Sequence, residues 1–117
     1  MTLDEIIEFT QDTNEERKVF CKEKKRCVSS ECVIEKMRHN GYAGYSCSVI
    51  YTLLKLDMMD RAKEIEDSFA AVCKKYDYCT RCPVNRALNL YNLKNIKCGI
   101  LYTLLYLNDM IELLGEV

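Results

Sequence analysis

Apolar residues recur along most of the chain at steps of three or four, the spacing of an amphipathic helix. The longest such run predicts one helix from about residue 46 to residue 76, with Glu64, Glu66 and Asp67 off its apolar face. The apolar positions of this run are Ile50, Leu54, Met58, Ala62, Ile65, Phe69, Val72 and Tyr76. With one proline and four glycines, the pattern predicts an all-α fold of about five helices.

Two shorter helices are predicted in the first third of the chain. Thr2 and Glu5 have the spacing of a capping box and start a helix over residues 2–20, although the polar stretch 12–15 favours a break. Ser29 or Ser30 would cap a second helix that runs to about Arg38.

Two more helices are predicted near the end of the chain. Pro83 suits the first turn of one of them. The last helix should run from about Cys98 to Leu114 and is apolar on nearly all sides. A helix of this kind is buried in the middle of a bundle or in the interface of a homodimer.

The eight cysteines form two sets of four with similar spacing. The upstream set is Cys21, Cys27, Cys32 and Cys47, and the downstream set is Cys73, Cys79, Cys82 and Cys98. Matching cysteines lie 52, 52, 50 and 51 residues apart, and Tyr-Thr-Leu-Leu follows the last cysteine of each set. The chain, 117 residues in length, is therefore predicted to be one domain with tandem repeats at about 2–56 and 57–117, related by a pseudo-twofold axis.

Four thiolates are a ligand set for a structural zinc ion, and the two-residue gap between Cys79 and Cys82 is typical of such sites. A 4Fe–4S cluster uses the same ligands. The gap between Cys27 and Cys32 is two residues wider, so the upstream set either holds a looser metal site or has lost its metal. Cys47 and Cys98 should also favour the thiolate, because each begins a predicted helix. Two disulfides per set, or reduced cysteines packed in a core, are the alternatives.

Both cysteine segments are basic, although the whole chain has a net charge of −1. Residues 21–47 contain six basic and three acidic residues, and residues 73–98 contain six basic and one acidic residue. These cations offset thiolate charge, or they bind nucleic acid together with the nearby tyrosines. The candidate nucleic-acid contacts are Lys24, Lys25, Arg26, Lys74, Lys75, Arg81 and Arg86.

Other functional signals are weak. The sequence contains no P-loop and no Ser-His-Asp set, and its one histidine, His39, is expected at a solvated helix end. A Cys32–His39 nucleophile pair is a minor alternative, so no catalytic residue is assigned. The acidic start predicts no signal peptide, and no apolar run is long enough for a membrane span. A cytosolic location is expected, where cysteines bind metal or stay reduced.

The run from Cys73 through Cys79-Thr-Arg-Cys82-Pro83 to Cys98 resembles a motif of small uncharacterised proteins from bacteriophages and prophages of anaerobic Firmicutes. The resemblance implies a small cytosolic accessory protein that acts on a host factor, without known catalytic activity. The upstream set departs from this motif, because its gap is wider and it lacks the proline. The sequence thus predicts a non-enzymatic, metal-stapled interaction protein, with a nucleic-acid-binding regulator and an iron–sulfur or dithiol redox protein as alternatives.

Overall fold

The computed structural model describes residues 1–24, 26–28 and 30–116, and these contain helices and turns but no strand. Within these residues there are six α-helices: α1 (Leu3–Lys22), α2 (Val33–His39), α3 (Cys47–Leu56), α4 (Ala62–Lys75), α5 (Pro83–Leu90) and α6 (Cys98–Leu107). The same residues contain 3₁₀ segments at Met59–Arg61, Cys79–Arg81 and Ile111–Glu116. The predicted all-α class is confirmed.

Helix α6 forms the centre of the bundle. It packs against α1, α3, α4 and α5, and every residue from Gly99 to Leu105 is buried. This position accounts for the apolar character of α6 on all sides, because each face meets another helix. Of the two predicted settings, burial within the bundle is the one observed. A homodimer through this helix stays a prediction.

The predicted long helix over residues 46–76 is wrong, because it is divided into α3 and α4. Asp57 adopts a left-handed conformation (φ 55°) directly after α3. The N–H of Met58 then donates to the carbonyl of Leu53 (2.9 Å), and the N–H of Asp57 to that of Leu54 (3.2 Å). These bonds satisfy the last carbonyls of α3 and reverse the chain, so that α4 packs back against α3.

The predicted end of the last helix at Leu114 is wrong for the same reason. Helix α6 ends at Leu107, and Asp109 is left-handed (φ 54°). The N–H of Met110 donates to the carbonyl of Leu105 (2.8 Å). Aspartate tolerates this conformation better than most residues, because its short polar side chain can form local hydrogen bonds.

Helix α1 is continuous, so the predicted break at residues 12–15 is wrong. Its capping box is confirmed: the Glu5 N–H donates to Thr2, and the Thr2 N–H donates to Glu5. Two residues of the predicted break, Thr13 and Asn14, are buried and hydrogen-bonded, whereas Asp12 and Glu15 are exposed. The Thr13 hydroxyl oxygen accepts from Lys55 Nζ (3.1 Å), and Asn14 Oδ1 accepts from Arg17 (3.4 Å). Burial therefore stabilises a stretch whose composition favours a turn.

The cap of α2 also differs from the expectation. Cys32, not a serine, is the N-cap residue, and its side chain makes no capping hydrogen bond. Of the two predicted caps, Ser30 precedes the helix without capping it, and Ser29 lies outside the described residues. Pro83, in contrast, is the first residue of α5, as predicted.

Helices α3 and α6 begin side by side. A Cβ atom at Gly99 would overlap the hydroxyl oxygen of Ser48 and would lie 3.2 Å from a methyl group of Val49. Each helix has a cysteine, Cys47 or Cys98, as its first residue. The two halves also share their order of helices and cysteines, but the tandem duplication and the pseudo-twofold axis stay predictions.

Candidate metal centres

The downstream set lines a single cavity of about 80 Å³. Cys73 lies in the last turn of α4, Cys79 begins the 3₁₀ segment, Cys82 is the N-cap of α5, and Cys98 is the first residue of α6. The remaining walls are the side chains of Phe69, Tyr76, Tyr78 and Asn85. Residues up to 25 positions apart in the sequence are thus brought to one place, where three helix ends meet.

The upstream set lines a second cavity, of about 40 Å³. Its cysteines occupy the same helix positions: Cys21 lies in the last turn of α1, Cys32 is the N-cap of α2, and Cys47 begins α3. Cys27 lies in the loop before α2. The other lining residues are Arg17, Phe20, Ile34 and Glu35. The wider Cys27–Cys32 gap therefore does not prevent the four residues from bordering one cavity.

The thiols of the downstream cavity are close enough to affect one another's ionisation. Burial raises the pKa of Cys98, and the nearby thiols of Cys73, Cys82 and Cys79 raise it further. Burial also raises the pKa of Cys73, as do Cys82 and Cys79. The expectation that the helix start favours the thiolate is wrong for Cys98, because desolvation and repulsion between neighbouring thiolates raise its pKa. Because the pKa values of Cys73 and Cys98 are raised, these two thiols stay protonated at neutral pH without a cation in the cavity.

Two arginines distinguish the upstream cavity. Arg17 Nη1 lies 3.7 Å from Cys21 Sγ, and Arg38 Nη1 lies 3.6 Å from Cys47 Sγ. Burial raises the pKa of Cys47, against the expectation from its helix position, and Arg38 partly reverses this effect. Sequence reasoning missed Arg17, since it precedes the basic segment. Its position one helical turn before Cys21 was the available signal.

Four thiols per cavity are chemically suitable ligands for a metal ion, but their side chains are not arranged around one point. In the described part of the chain, no three His, Cys, Asp or Glu side chains are grouped as they would need to be around one ion. None of the eight cysteines is in a disulfide. Each set consists of four soft thiol ligands on one cavity, but coordination requires them to turn inward.

Glu66 is a further residue that the sequence placed wrongly. It was expected off the apolar face of its helix, yet it is only 8% exposed. Its Oε1 accepts from the N–H of Ser46 (3.2 Å), directly before Cys47, and its Oε2 has no partner among the described residues. Burial raises the pKa of Glu66, and the Ser46 N–H lowers it. This carboxyl group connects α4 of the downstream half to the start of α3.

The candidate nucleic-acid contacts lie mainly on the downstream half. Lys74, Lys75, Arg81 and Arg86 are exposed. Lys75 lies 5.8 Å from the ring centre of Tyr76, and Arg81 lies 5.8 Å from that of Tyr78. Both tyrosines belong to the downstream cavity, so these cations surround it.

The upstream candidates are placed differently. Arg26 pairs with Glu31 (3.6 Å), Lys24 lies over the ring of Phe20, and Lys25 is outside the described residues. His39 is the last residue of α2, and its side chain is 65% exposed and 3.5 Å from Glu35. This position agrees with the expected solvated helix end.

Comparison with known proteins adds no functional assignment. Within the described residues, none of the helices has the length and apolarity that a membrane span requires. The resemblance to phage and prophage proteins stays a prediction. The chain matches no family model, no curated protein and no solved structure.

Proposed function

We propose that the protein is a small, non-enzymatic interaction protein whose helices are tied together by metal at its two cysteine sets, with zinc as the metal. One observation carries the proposal: each set of four cysteines, spread over 26 or 27 residues, lines one cavity. In both halves a cysteine lies in the last turn of one helix, at the N-cap of the next and at the first residue of the third, and packing of small apolar residues does not require cysteine there.

The expected benefit of metal is structural. The cysteines lie at helix ends and in loops, and α2 and α5 contain only seven and eight residues. Helices this short are unstable without tertiary contacts. A bound ion would fix the end of one long helix and the starts of two others, as structural zinc does in small domains.

Zinc is preferred to iron–sulfur in this proposal because a closed four-thiolate shell is the usual structural zinc site. The basic residues near each cavity would offset the net negative charge of four thiolates around a divalent ion. In the upstream cavity, Arg17 and Arg38 already lie within reach of two sulfur atoms. A 4Fe–4S cluster remains the alternative cofactor.

Elemental analysis of protein purified under reducing, anaerobic conditions tests the proposal directly. We expect about two zinc ions per chain and no visible absorbance of an iron–sulfur cluster. Cys98→Ser should remove one ion and lower the melting temperature. Asn85→Ala, which changes the same cavity without removing a thiol, is the matched control and should retain both ions. Metal-free protein with eight free thiols and unchanged melting in Cys98→Ser would refute the structural site.

A nucleic-acid-binding role is the second candidate, and the exposed cations beside Tyr76 and Tyr78 favour it. Cations and aromatic rings on one surface can hold single-stranded DNA or RNA. Salt-dependent binding that weakens in Lys75→Gln and Arg81→Gln would support this role.

We place the protein in the bacterial cytoplasm as a phage-encoded factor that acts on a host protein, on the basis of its motif and its free thiols.

A further inference from the structure

An open apolar groove of about 330 Å³ lies on the upstream half, between α1, α2 and α3. Two of its side chains are well exposed, Val33 at 54% and Leu54 at 40%. The lining residues are Phe20, Val33, Ile34, Tyr51, Leu54 and Lys55. Phe20 and Ile34 also line the upstream cysteine cavity, so the groove and the cavity share a wall.

The corresponding surface of the downstream half is covered. Tyr51 and Leu54 stand four and seven residues after Cys47, and Tyr102 and Leu105 stand four and seven residues after Cys98. Yet Tyr102 is 1% exposed and Leu105 is 0% exposed. The side chains at matching positions are therefore buried in the downstream half and line an open groove in the upstream half.

Tyr102 is covered by α4, whose Ser68 hydrogen-bonds to it and whose Phe69 ring lies against it. The segment Ile111–Glu116 is a further part of the downstream cover and packs against α5 and α6. Leu114 of this segment is buried in the core, and Glu112 is exposed. In the upstream half, the segment Met59–Arg61 follows α3 in the same way, but it packs against α3 and α4, and α2 has its main contact with α3. Ile111–Glu116 packs against α5, but no following segment of the described chain packs against α2 in this way.

Charges at the groove favour an acidic occupant. Lys24 lies 4.7 Å from the ring centre of Phe20, and Lys36 is one helical turn beyond Val33 on α2. Neither lysine forms an ion pair with another described residue. Of the nearby acids, Glu16 pairs with Lys55 (2.8 Å), and Glu31 and Glu35 pair with Arg26 and Arg38. Glu23, next to Lys24, is exposed and forms no ion pair with a described residue. The rim thus offers two unpaired cations against one unpaired carboxylate.

We propose that this groove binds a short, acidic, leucine-containing helical segment of a partner protein. The segment would cover the upstream half in the way that Ile111–Glu116 covers part of the downstream half. The leucine side chains would enter the space between Tyr51 and Val33. The carboxylates would face Lys24 and Lys36. This inference rests on the proposed role as an interaction protein, and it names the chemistry of the partner.

A labelled peptide with the sequence of residues 108–117 is a suitable probe, and its binding to the full chain can be followed by fluorescence anisotropy. We expect saturable binding that weakens as salt is added. Leu54→Asn should weaken it about tenfold, since a central apolar contact is lost. Lys36→Glu should weaken it by a similar factor at low salt. The matched control is Leu90→Asn, which changes a leucine that is 65% exposed on α5, and it should bind as the parent does.

Several results would overturn the inference. These are the absence of saturable binding up to about 1 mM peptide, equal binding by Leu54→Asn, and equal binding of a peptide carrying Leu113→Ser and Leu114→Ser. A dimer in sedimentation equilibrium that Leu54→Asn dissociates would show a second copy in the groove, and would also overturn it. Zinc content is measured on the same samples. Zinc-loaded protein that does not bind the peptide refutes the groove alone, whereas metal-free protein that binds it refutes only the metal staple.

Discussion

The hydroxyl oxygen of Ser48 on α3 lies where a Cβ atom of Gly99 on α6 would be. The two residues follow Cys47 and Cys98, so this contact sets how closely the two cysteine-bearing helix starts approach. Glycine is required there by the neighbouring helix and not by its backbone conformation, since Gly99 is within an α-helix.

Gly99→Ala should destabilise the protein by about 1–2 kcal/mol, because the added methyl group forces α3 and α6 apart or forces Ser48 to rotate. Urea unfolding followed by circular dichroism measures the change. In a Ser48→Ala background the same substitution should be neutral or stabilising, because alanine is the better helix residue. Equal destabilisation in both backgrounds would show that the contact with Ser48 is not the cause.

Glu66→Gln should change how stability depends on pH. The pKa of Glu66 is raised by burial, so the folded state holds its proton more tightly than the unfolded state does. Its contribution to stability is complete below the unfolded pKa and is lost as pH rises through the folded pKa. Relative to the parent, Glu66→Gln should therefore gain stability as pH rises from about 4 to about 7.

Thermal unfolding across this pH range measures the effect of Glu66. Glu8→Gln removes an exposed carboxylate from α1 and serves as the control. If both variants differ from the parent by the same amount at every pH, the burial of Glu66 does not affect its ionisation.

Arg38→Gln should slow alkylation of Cys47 in metal-free, reduced protein. Burial raises the pKa of Cys47 and Arg38 lowers it, so removal of the guanidinium leaves less of the reactive thiolate. We expect a rate about threefold lower or more at mildly alkaline pH. Peptide mapping by mass spectrometry gives the rate for each cysteine. Cys79 in the same sample is the internal reference, and a parallel slowing there would point to a general effect of the substitution.

Zinc binding should release protons and weaken at low pH. The pKa values of Cys73 and Cys98 are raised, and zinc requires both as thiolates, so protons compete with the ion at neutral pH. Calorimetry in buffers of different ionisation enthalpy should give about three to four protons released per ion at pH 7. Release of fewer than one proton per ion would show that thiols are not the ligands.

The sequence predicted the all-α class, and its repeated spacing grouped the cysteines in two sets that each line one cavity. Metal binding by either set stays a prediction. Helix ends were harder to place, because the apolar spacing continues unbroken through Asp57. An aspartate allows the left-handed conformation but does not require it, so the sequence alone does not predict a helix end at Asp57. The chain reverses there because α4 can then pack against α3.

Buried polar residues account for the other differences. Thr13, Asn14 and Glu66 have the composition of exposed or turn positions, and each is buried because of a partner distant in the sequence or one helical turn away. Local pattern does not reveal such contacts, because they depend on neighbouring residues that are known only from the fold. Arg17 differs, because its spacing of four residues from Cys21 on one helix is visible in the sequence.

The central position of α6 has a consequence for the order of folding. Residues 98–107 leave the ribosome after every other α-helix of the bundle, so the faces of α1, α3, α4 and α5 that pack against α6 have no partner before then. Contact between the two ends of the chain is therefore expected to be the slow step of folding. A chaperone that shields nascent apolar helices would be most useful to this chain in that interval.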